Sequence, residues 1–195
     1  VTLKPLLKSW GIDLNERQII GDLTGALKVQ MKKGDRIIAT EYPAWFDVQK
    51  ENFMQNEIIT SNLSILSFRT AGHLQKRAGT TVDWQPIVWS STKAGTIDVS
   101  QVEYAPDPTE ILSSLKTTED KFTLVARIRG SLDTAFSDGP PRGLIDKSIR
   151  DQHRAKTEKS AAIIIVSDTD FLSGWAQARP RPSESNGRHC LLDVC

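Results

Sequence analysis

The stretch AAIIIVSDTDFL, residues Ala161–Leu172, gives the clearest indication of the fold. Five apolar residues run from Ala162 to Val166 without a polar interruption, and the polar run Ser167–Asp170 follows directly. A short unbroken apolar run rich in β-branched residues is typical of a strand covered on both faces, as in a parallel sheet. We therefore expect a central parallel strand here, and an Ile164→Asp substitution should unfold the domain because it would bury an unpaired charge.

The rest of the chain predicts a mixed α/β fold with an α+β tendency. Alternation over Ala26–Met31, turn residues at 32–35 and a further apolar run at Arg36–Thr40 predict a β-hairpin. Asp107 is a suitable N-cap for a helix that begins at Pro108. We expect a mixed β-sheet, partly parallel, with β-hairpins and flanking helices. We interpret the chain as a fragment of a flavodoxin-like or amidotransferase-like α/β domain.

Three other segments predict particular environments. Lys121–Arg129 alternates as a half-buried strand does, with its two arginines facing solvent. In TTVDWQPIVWS, residues 80–90, Pro86 is typical of an edge strand or a bulge. The aromatic segment YPAWFDVQKENF, residues 42–53, is interrupted by Pro43 and predicts a loop and short helix. Its aromatic side chains are expected to fix that segment to the core rather than to form a ligand platform.

The composition changes along the chain predict its domain organisation. Residues 1–172 are expected to form a single mixed α/β domain, in which the polar segment 144–160 is a linker or mobile insert. Residues 173–195, rich in Pro, Ser and Gly, are expected to form an irregular tail. The chain begins at Val1 without a methionine, so we expect it to be an excised or truncated piece.

Charge and composition exclude several classes of partner. The chain has 25 Lys and Arg against 24 Asp and Glu, which gives no electrostatic basis for nucleic-acid or anionic-membrane binding. No apolar run approaches the roughly 20 residues that span a bilayer. The histidines lie far apart, and the two cysteines both lie in the last six residues, so no metal-ligand spacing is predicted and no cofactor is expected. These residues are His73, His153, His189, Cys190 and Cys195.

Asp168 and Asp170 are the best candidates for a chemical site. They stand at the end of the predicted strand, where ligands bind in open α/β sheets. Two carboxylates one residue apart can hold a divalent metal, as in a metal-dependent hydrolase or phosphotransferase. They can equally cap the structure that follows by accepting its free N–H groups, and we favour this interpretation because nothing in the sequence completes a metal shell. No other catalytic motif is present, so we expect the chain not to be an enzyme.

Three tryptophans offer a second kind of site. If Trp45, Trp84 and Trp89 are exposed, they could form a ligand or partner surface, as in a carbohydrate-binding module. Core packing is the competing interpretation, and a fluorescence titration against glycans would separate the two.

A series of short motifs resembles one family. In order these are LLKSWGI, IIGD, ALKVQ, PAW, TLVARIRGSLDTAF with its DGPP, and IIIVSDTDFL, spread from Leu3 to Leu172. Together they resemble the extracytoplasmic domain of the gliding-motility-type ABC transporter auxiliary proteins, which are uncharacterised transport components and sometimes substrate-binding-like. Asp168 and Asp170 match the strand-end Asp-x-Asp motif of that family.

The resemblance implies a location, partners and a non-catalytic role. Such proteins are tethered to the cytoplasmic membrane by helices at both ends, and their soluble part lies on the extracytoplasmic, periplasmic face. This chain would then associate with a permease and an ATPase of the same system, would touch the membrane only through segments outside it, and could form a homo-oligomer. Two departures are evident. The first strands of the family domain would precede Val1, and residues 173–195 do not resemble the helix that follows the motif in the family.

Overall fold

The computed structural model describes residues 3–104, 106–141, 143 and 146–172. Short helices and ten strands alternate along this part of the chain, which confirms the mixed α/β class with hairpins. The helices are α1 (Lys4–Ser9), α2 (Ser100–Glu103), α3 (Pro108–Ser114) and α4 (Lys147–Asp151), with 3-10 turns at Lys50–Asn52 and Asp170–Leu172. The strands are β1 (Ile12–Leu14), β2 (Gln18–Asp22), β3 (Ala26–Lys33), β4 (Arg36–Gln49), β5 (Ile65–Arg69), β6 (Leu74–Lys76), β7 (Asp83–Trp89), β8 (Ala94–Asp98), β9 (Thr123–Gly130) and β10 (Ala161–Val166).

The strands form four small sheets. Their orders are β1-β6, β2-β8, β3-β4-β5 and β10-β9-β7. All strand pairs in the described part of the chain are antiparallel, so the parallel pairing expected from the sequence is not found there. Three clusters of buried apolar side chains hold the sheets together, and the largest contains Phe46 and Phe68 with stacked rings 5.8 Å apart.

The predicted β-hairpin is present as β3 and β4. Only Gly34 and Asp35 separate the two strands, and Gly34 has a φ of +62°, which suits a tight hairpin turn. The sequence predicted an interruption at Pro43, but the strand β4 continues past it because a bulge accommodates the proline. One step along β3, from Ala26 to Leu27, corresponds to four residues of β4. Beyond the bulge the strand continues to Gln49 and pairs with β5.

Two other local predictions are confirmed. The Asp107 carboxylate caps α3 by accepting a hydrogen bond from the Thr109 N–H at 2.8 Å. The strand β7 lies at the edge of its sheet and has register shifts on either side of Val88, next to Pro86. The aromatic side chains of the Tyr42–Phe53 segment are fixed to the core as expected, although most of this segment is strand rather than loop.

The environment of β10 differs from the prediction. In the sheet that the described residues form, β10 is an edge strand antiparallel to β9, and its burial alternates. Ala161, Ile163 and Ile165 pack on the core, whereas Ile164 keeps 45% of its surface exposed. The strand β9 occupies the central position instead.

Both arginines of β9 were predicted to face solvent. The side chain of Arg127 is mostly buried instead. It forms an ion pair with Glu57 at 2.6 Å, and the two side chains are 16% and 7% exposed. The neighbouring arginine, Arg129, is exposed as expected. The burial of Arg127 therefore depends on a partner that lies far away in the sequence.

The segment expected to be a linker contains regular structure. Within 144–160, α4 begins after Asp146, whose carboxylate accepts from the Ser148 N–H at 2.9 Å. The Thr157 N–H donates to the Leu132 carbonyl oxygen at 2.9 Å, which ties the end of this segment to the chain after β9. The domain boundaries stay a prediction, and the tail with His189, Cys190 and Cys195 lies outside the described residues.

Candidate functional site

Ser167 holds the end of β10 against β9 and against the connection between β5 and β6. Its N–H donates to the Leu124 carbonyl oxygen of β9 at 3.0 Å, and its hydroxyl donates to the Gly72 carbonyl oxygen at 2.8 Å. The Ser167 carbonyl oxygen in turn accepts from the Gly72 N–H at 2.9 Å. These bonds fix the backbone immediately before the Asp-x-Asp pair.

Asp168 uses both carboxylate oxygens on backbone donors. One oxygen accepts from the Arg69 N–H at the end of β5, and the other from the Asp170 N–H at the start of the final 3-10 turn, both at 2.7 Å. Burial raises the pKa of this carboxyl above its ordinary value, while the backbone hydrogen bonds act in the opposite direction. The geometry is that of a cap joining two segments, as the favoured interpretation expected.

Asp170 lies apart from this arrangement. It is exposed, and its backbone rather than its side chain contacts Asp168. No group of three or more His, Cys, Asp or Glu in the described ranges is arranged to hold a metal ion. The contacts of Asp168 are fully explained by capping, and the metal site stays a prediction without a supporting contact.

Trp45 lies beside the Asp168 junction. The guanidinium of Arg69 lies 4.7 Å from the centre of the Trp45 ring. The Tyr42 ring lies edge-on to the same tryptophan, with 5.4 Å between the two ring centres. Burial raises the pKa of Tyr42 to about 12, so its phenol stays protonated at neutral pH. Arg69 therefore brings together two residues that the sequence had assigned to different hypotheses, through its N–H to Asp168 and its side chain to Trp45.

The three tryptophans do not form one exposed platform. Each is half-buried, whereas the carbohydrate hypothesis needed them exposed. Trp45 packs against the cluster that contains Tyr42, and Trp84 packs against a different cluster that contains Ile128. Trp89 lies on β7 opposite Thr123. The sugar-binding role stays a prediction, and the packing of Trp45 and Trp84 accounts for these two side chains without a ligand.

A second buried carboxylate was not identified from the sequence. Asp22, at the end of β2, is 2% exposed and accepts from the Ser91 N–H at 2.6 Å, the Ser91 hydroxyl at 2.7 Å and the Thr24 N–H at 2.9 Å. The Asp22 carboxylate thus joins the end of β2 to Thr24 and Ser91, which lie in the loops next to the β2–β8 sheet. Asp22 and Ser91 stand 69 positions apart, so no local pattern could have revealed their contact.

An open groove lies on the other side of β10. It has a volume of about 570 Å³, and its apolar lining includes Leu6, Trp10, Leu132, Ala161 and Ile163. The charged residues around it are already paired: Arg154 with Glu158 at 2.9 Å, and Lys156 with Asp133 at 3.6 Å. The groove is therefore better suited to an apolar occupant than to an ionic ligand.

The comparisons with known proteins give one result. Residues 1–189 match the model of a protein family described as an ABC-type uncharacterized transport system. Searches of curated proteins and of solved structures find no match to this chain. The family similarity covers nearly the whole chain rather than a single motif.

Proposed function

We propose a function for this chain on the basis that it belongs to the family of ABC-type uncharacterized transport systems. The family indicates an auxiliary component of an ABC-type transport system. Our proposal is more specific: the chain is a non-catalytic domain that binds a substrate or a partner protein for a permease and an ATPase of the same system. The observation that carries this proposal is the family match over residues 1–189.

The structure of the Asp168 junction supports a non-catalytic role. Both oxygens of that carboxylate accept hydrogen bonds from the main chain, at 2.7 Å each. Metal-dependent hydrolysis needs open coordination positions and converging ligands. The carboxylate that looked most like a catalytic group instead connects β5 to the turn after β10.

The order of the sequence motifs supports a gliding-motility-type system and an extracytoplasmic location. None of the helices in the described ranges has the length and apolar character that a membrane crossing requires. Alkaline phosphatase becomes active only after export, so its insertion into the complete gene product at the exposed turn between Gly34 and Asp35 tests the location of this domain. High phosphatase activity is expected, and an inactive fusion that is present in normal amounts would contradict the proposal.

Co-purification tests the proposed partners. The complete protein, tagged and expressed in its source cells, should retain the permease and ATPase of its own transport system after detergent extraction. A tagged variant carrying Ile128→Asp, which replaces a fully buried side chain, serves as the control for binding through unfolded chain. Retention of both subunits by the native protein alone supports the proposal. Equal retention by both proteins, or retention of neither subunit, counts against it.

A calorimetric titration tests the competing hydrolase hypothesis. We expect no stoichiometric heat when Mg²⁺ or Ca²⁺ is added to the native chain, because both oxygens of Asp168 accept from backbone N–H groups. Asp168→Asn is the matched control. Micromolar binding by the native chain that this variant abolishes would establish a metal site and overturn the capping interpretation.

A further inference from the structure

The two edges of the β10-β9-β7 sheet differ in how they are protected. The β7 edge contains Pro86 and two register shifts, and the Met54 N–H donates to the Ile87 carbonyl oxygen at 2.7 Å. Prolines, bulges and covering segments are the means by which proteins stop edge strands from pairing with other chains. One side of this sheet is thus closed to further strands.

Among the residues that the structure describes, nothing gives the β10 edge these protections. Its six residues, AAIIIV, include no charge, proline or glycine, and they pair with β9 without a register shift. In the described part of the chain, no backbone hydrogen bond joins residues 161–166 to any segment other than β9. A straight, uncharged, apolar edge strand is a ready template for pairing with another strand.

The hydrogen-bond pattern shows which groups point to this edge. The Ser167 N–H donates to the Leu124 carbonyl oxygen, towards β9. Because the direction alternates along an antiparallel strand, the N–H and C=O groups of Ala162, Ile164 and Val166 point away from β9. The Ile164 side chain, 45% exposed, lies at the middle of this set.

We propose that the β10 edge is a self-association site, at which β10 of a second copy of this chain pairs antiparallel with it. This would join two three-stranded sheets into one continuous sheet across a two-fold axis. The inference does not depend on a role in transport, so either can fail without the other.

The sequence of β10 favours a second copy as the occupant. An antiparallel register centred on Ile164 places it opposite the partner subunit's Ile164, and Ile163 opposite the partner subunit's Ile165. β-Branched side chains then meet across the axis, which stabilises cross-strand pairs, and no like charges oppose one another. In this register, core-facing residues also meet core-facing residues, so both protomers keep their apolar faces on the same side.

The groove beside β10 fits the same occupant. Ala161 and Ile163 form part of its lining, together with Leu6, Trp10 and Leu132. A strand added at the edge would direct its own core-facing isoleucines over this apolar floor. Strand addition combines main-chain hydrogen bonds with pockets for alternate side chains, and the open edge and the groove provide both.

The first test measures the mass of the chain in solution. Light scattering and sedimentation of the native chain should give a dimer that dissociates on dilution. Ile164→Lys should convert the dimer to a monomer. The circular dichroism spectrum should stay unchanged, because the Ile164 side chain is already half exposed. Ile37→Lys, a matched change of an isoleucine that is 67% exposed on β4, should leave the dimer intact. A native chain that stays monomeric, or equal effects of the two lysines, would overturn the proposal.

The second test decides the register and remains informative if Ile164→Lys fails to fold. In a chain carrying Cys190→Ser and Cys195→Ser, Ile164→Cys should oxidise rapidly to a disulfide-linked dimer. Directly opposite residues of a hydrogen-bonded antiparallel pair lie about 5.5 Å apart at Cα, a separation that a disulfide can bridge. Ile37→Cys in the same background should cross-link only slowly. Equal cross-linking of both variants, or none at Ile164→Cys, would contradict a two-fold axis at this residue.

Discussion

The adjacent strands β9 and β10 differ in burial in the direction opposite to their apolar content. In β9, Leu124, Ala126 and Ile128 are fully buried, although charged residues interrupt its apolar pattern. In β10 the apolar run is unbroken, yet Ile164 is 45% exposed. The difference shows that sheet order determines burial here: in the described ranges β9 has a strand on each side and β10 on only one. An uncharged sequence shows that a strand could be covered, not that it is.

Ile128→Asp should have the largest effect on this pair of strands. The Ile128 side chain is fully buried in the central strand, so a carboxylate there loses its hydration and gains no partner. We expect a loss of about 4 kcal/mol or more in the free energy of unfolding. Thermal denaturation followed by circular dichroism should show no cooperative transition. A variant that melts cooperatively near the native temperature would mean that β9 is not the structural centre.

Arg127→Met tests the buried ion pair that β9 forms with a distant loop. Glu57 would be left 7% exposed without its cation, which should cost about 3 kcal/mol in the free energy of unfolding. Urea denaturation measures this loss. The double variant Arg127→Met/Glu57→Met should recover most of it, because no unpaired charge then stays buried. Arg129→Met, an exposed neighbour on the same strand, is the control and should change little.

Asp168→Ala tests whether the turn after β10 depends on its cap. Removing the acceptor for the Arg69 and Asp170 N–H groups should cost about 1–2 kcal/mol in the free energy of unfolding. Urea denaturation at neutral pH measures this loss. Asp120→Ala, a change of an exposed aspartate elsewhere, is the matched control. Equal small losses in the two variants would mean that Asp168 does not act as a cap.

The pH dependence of Asp168→Asn gives a separate test of the same carboxyl. Burial raises the pKa of Asp168 in the folded state, so the folded chain holds this proton more tightly than the unfolded chain does. Its contribution to stability is fully present below the unfolded value, 3.8 for an ordinary aspartate, and is lost as the pH rises through the folded pKa. The native chain should therefore lose stability relative to Asp168→Asn across that window. Urea denaturation of both proteins at acidic and neutral pH measures the difference, and a pH-independent difference would contradict the raised pKa.

Ile164→Asp should have the smallest effect, opposite to what the sequence predicted. Its side chain is already 45% exposed, so a carboxylate there stays hydrated. Measured in dilute solution, where association does not contribute, its free energy of unfolding should stay within about 1 kcal/mol of the native value. Unfolding of this variant would restore the original interpretation of β10 as a central strand.

Local chemistry could be predicted from the sequence, and long-range pairing could not. The Gly34 turn, the Asp107 cap and the edge character of β7 near Pro86 all depend on residues within a few positions of one another. The motif order also indicated the ABC-type transport family, and its gliding-motility type stays a prediction. The burial of Arg127 depends on Glu57, 70 residues away, and the exposure of Ile164 depends on which strand lies beside β10. At the candidate site, capping by Asp168 was anticipated, but its donor on Arg69 lies 99 residues away.

The pairing of β2 with β8 has a consequence for synthesis. The N-terminal strand of this pair, Gln18–Asp22, obtains its hydrogen-bond partner only when Ala94–Asp98 has left the ribosome. Until then its buried isoleucines and the Asp22 carboxylate lack the groups of β8 and Ser91 that cover them, whereas β3, β4 and β5 can already pair with one another. Such non-local closure is slow compared with hairpin formation. The strand β2 therefore stays without its partner strand while the segment between it and β8 is being synthesised.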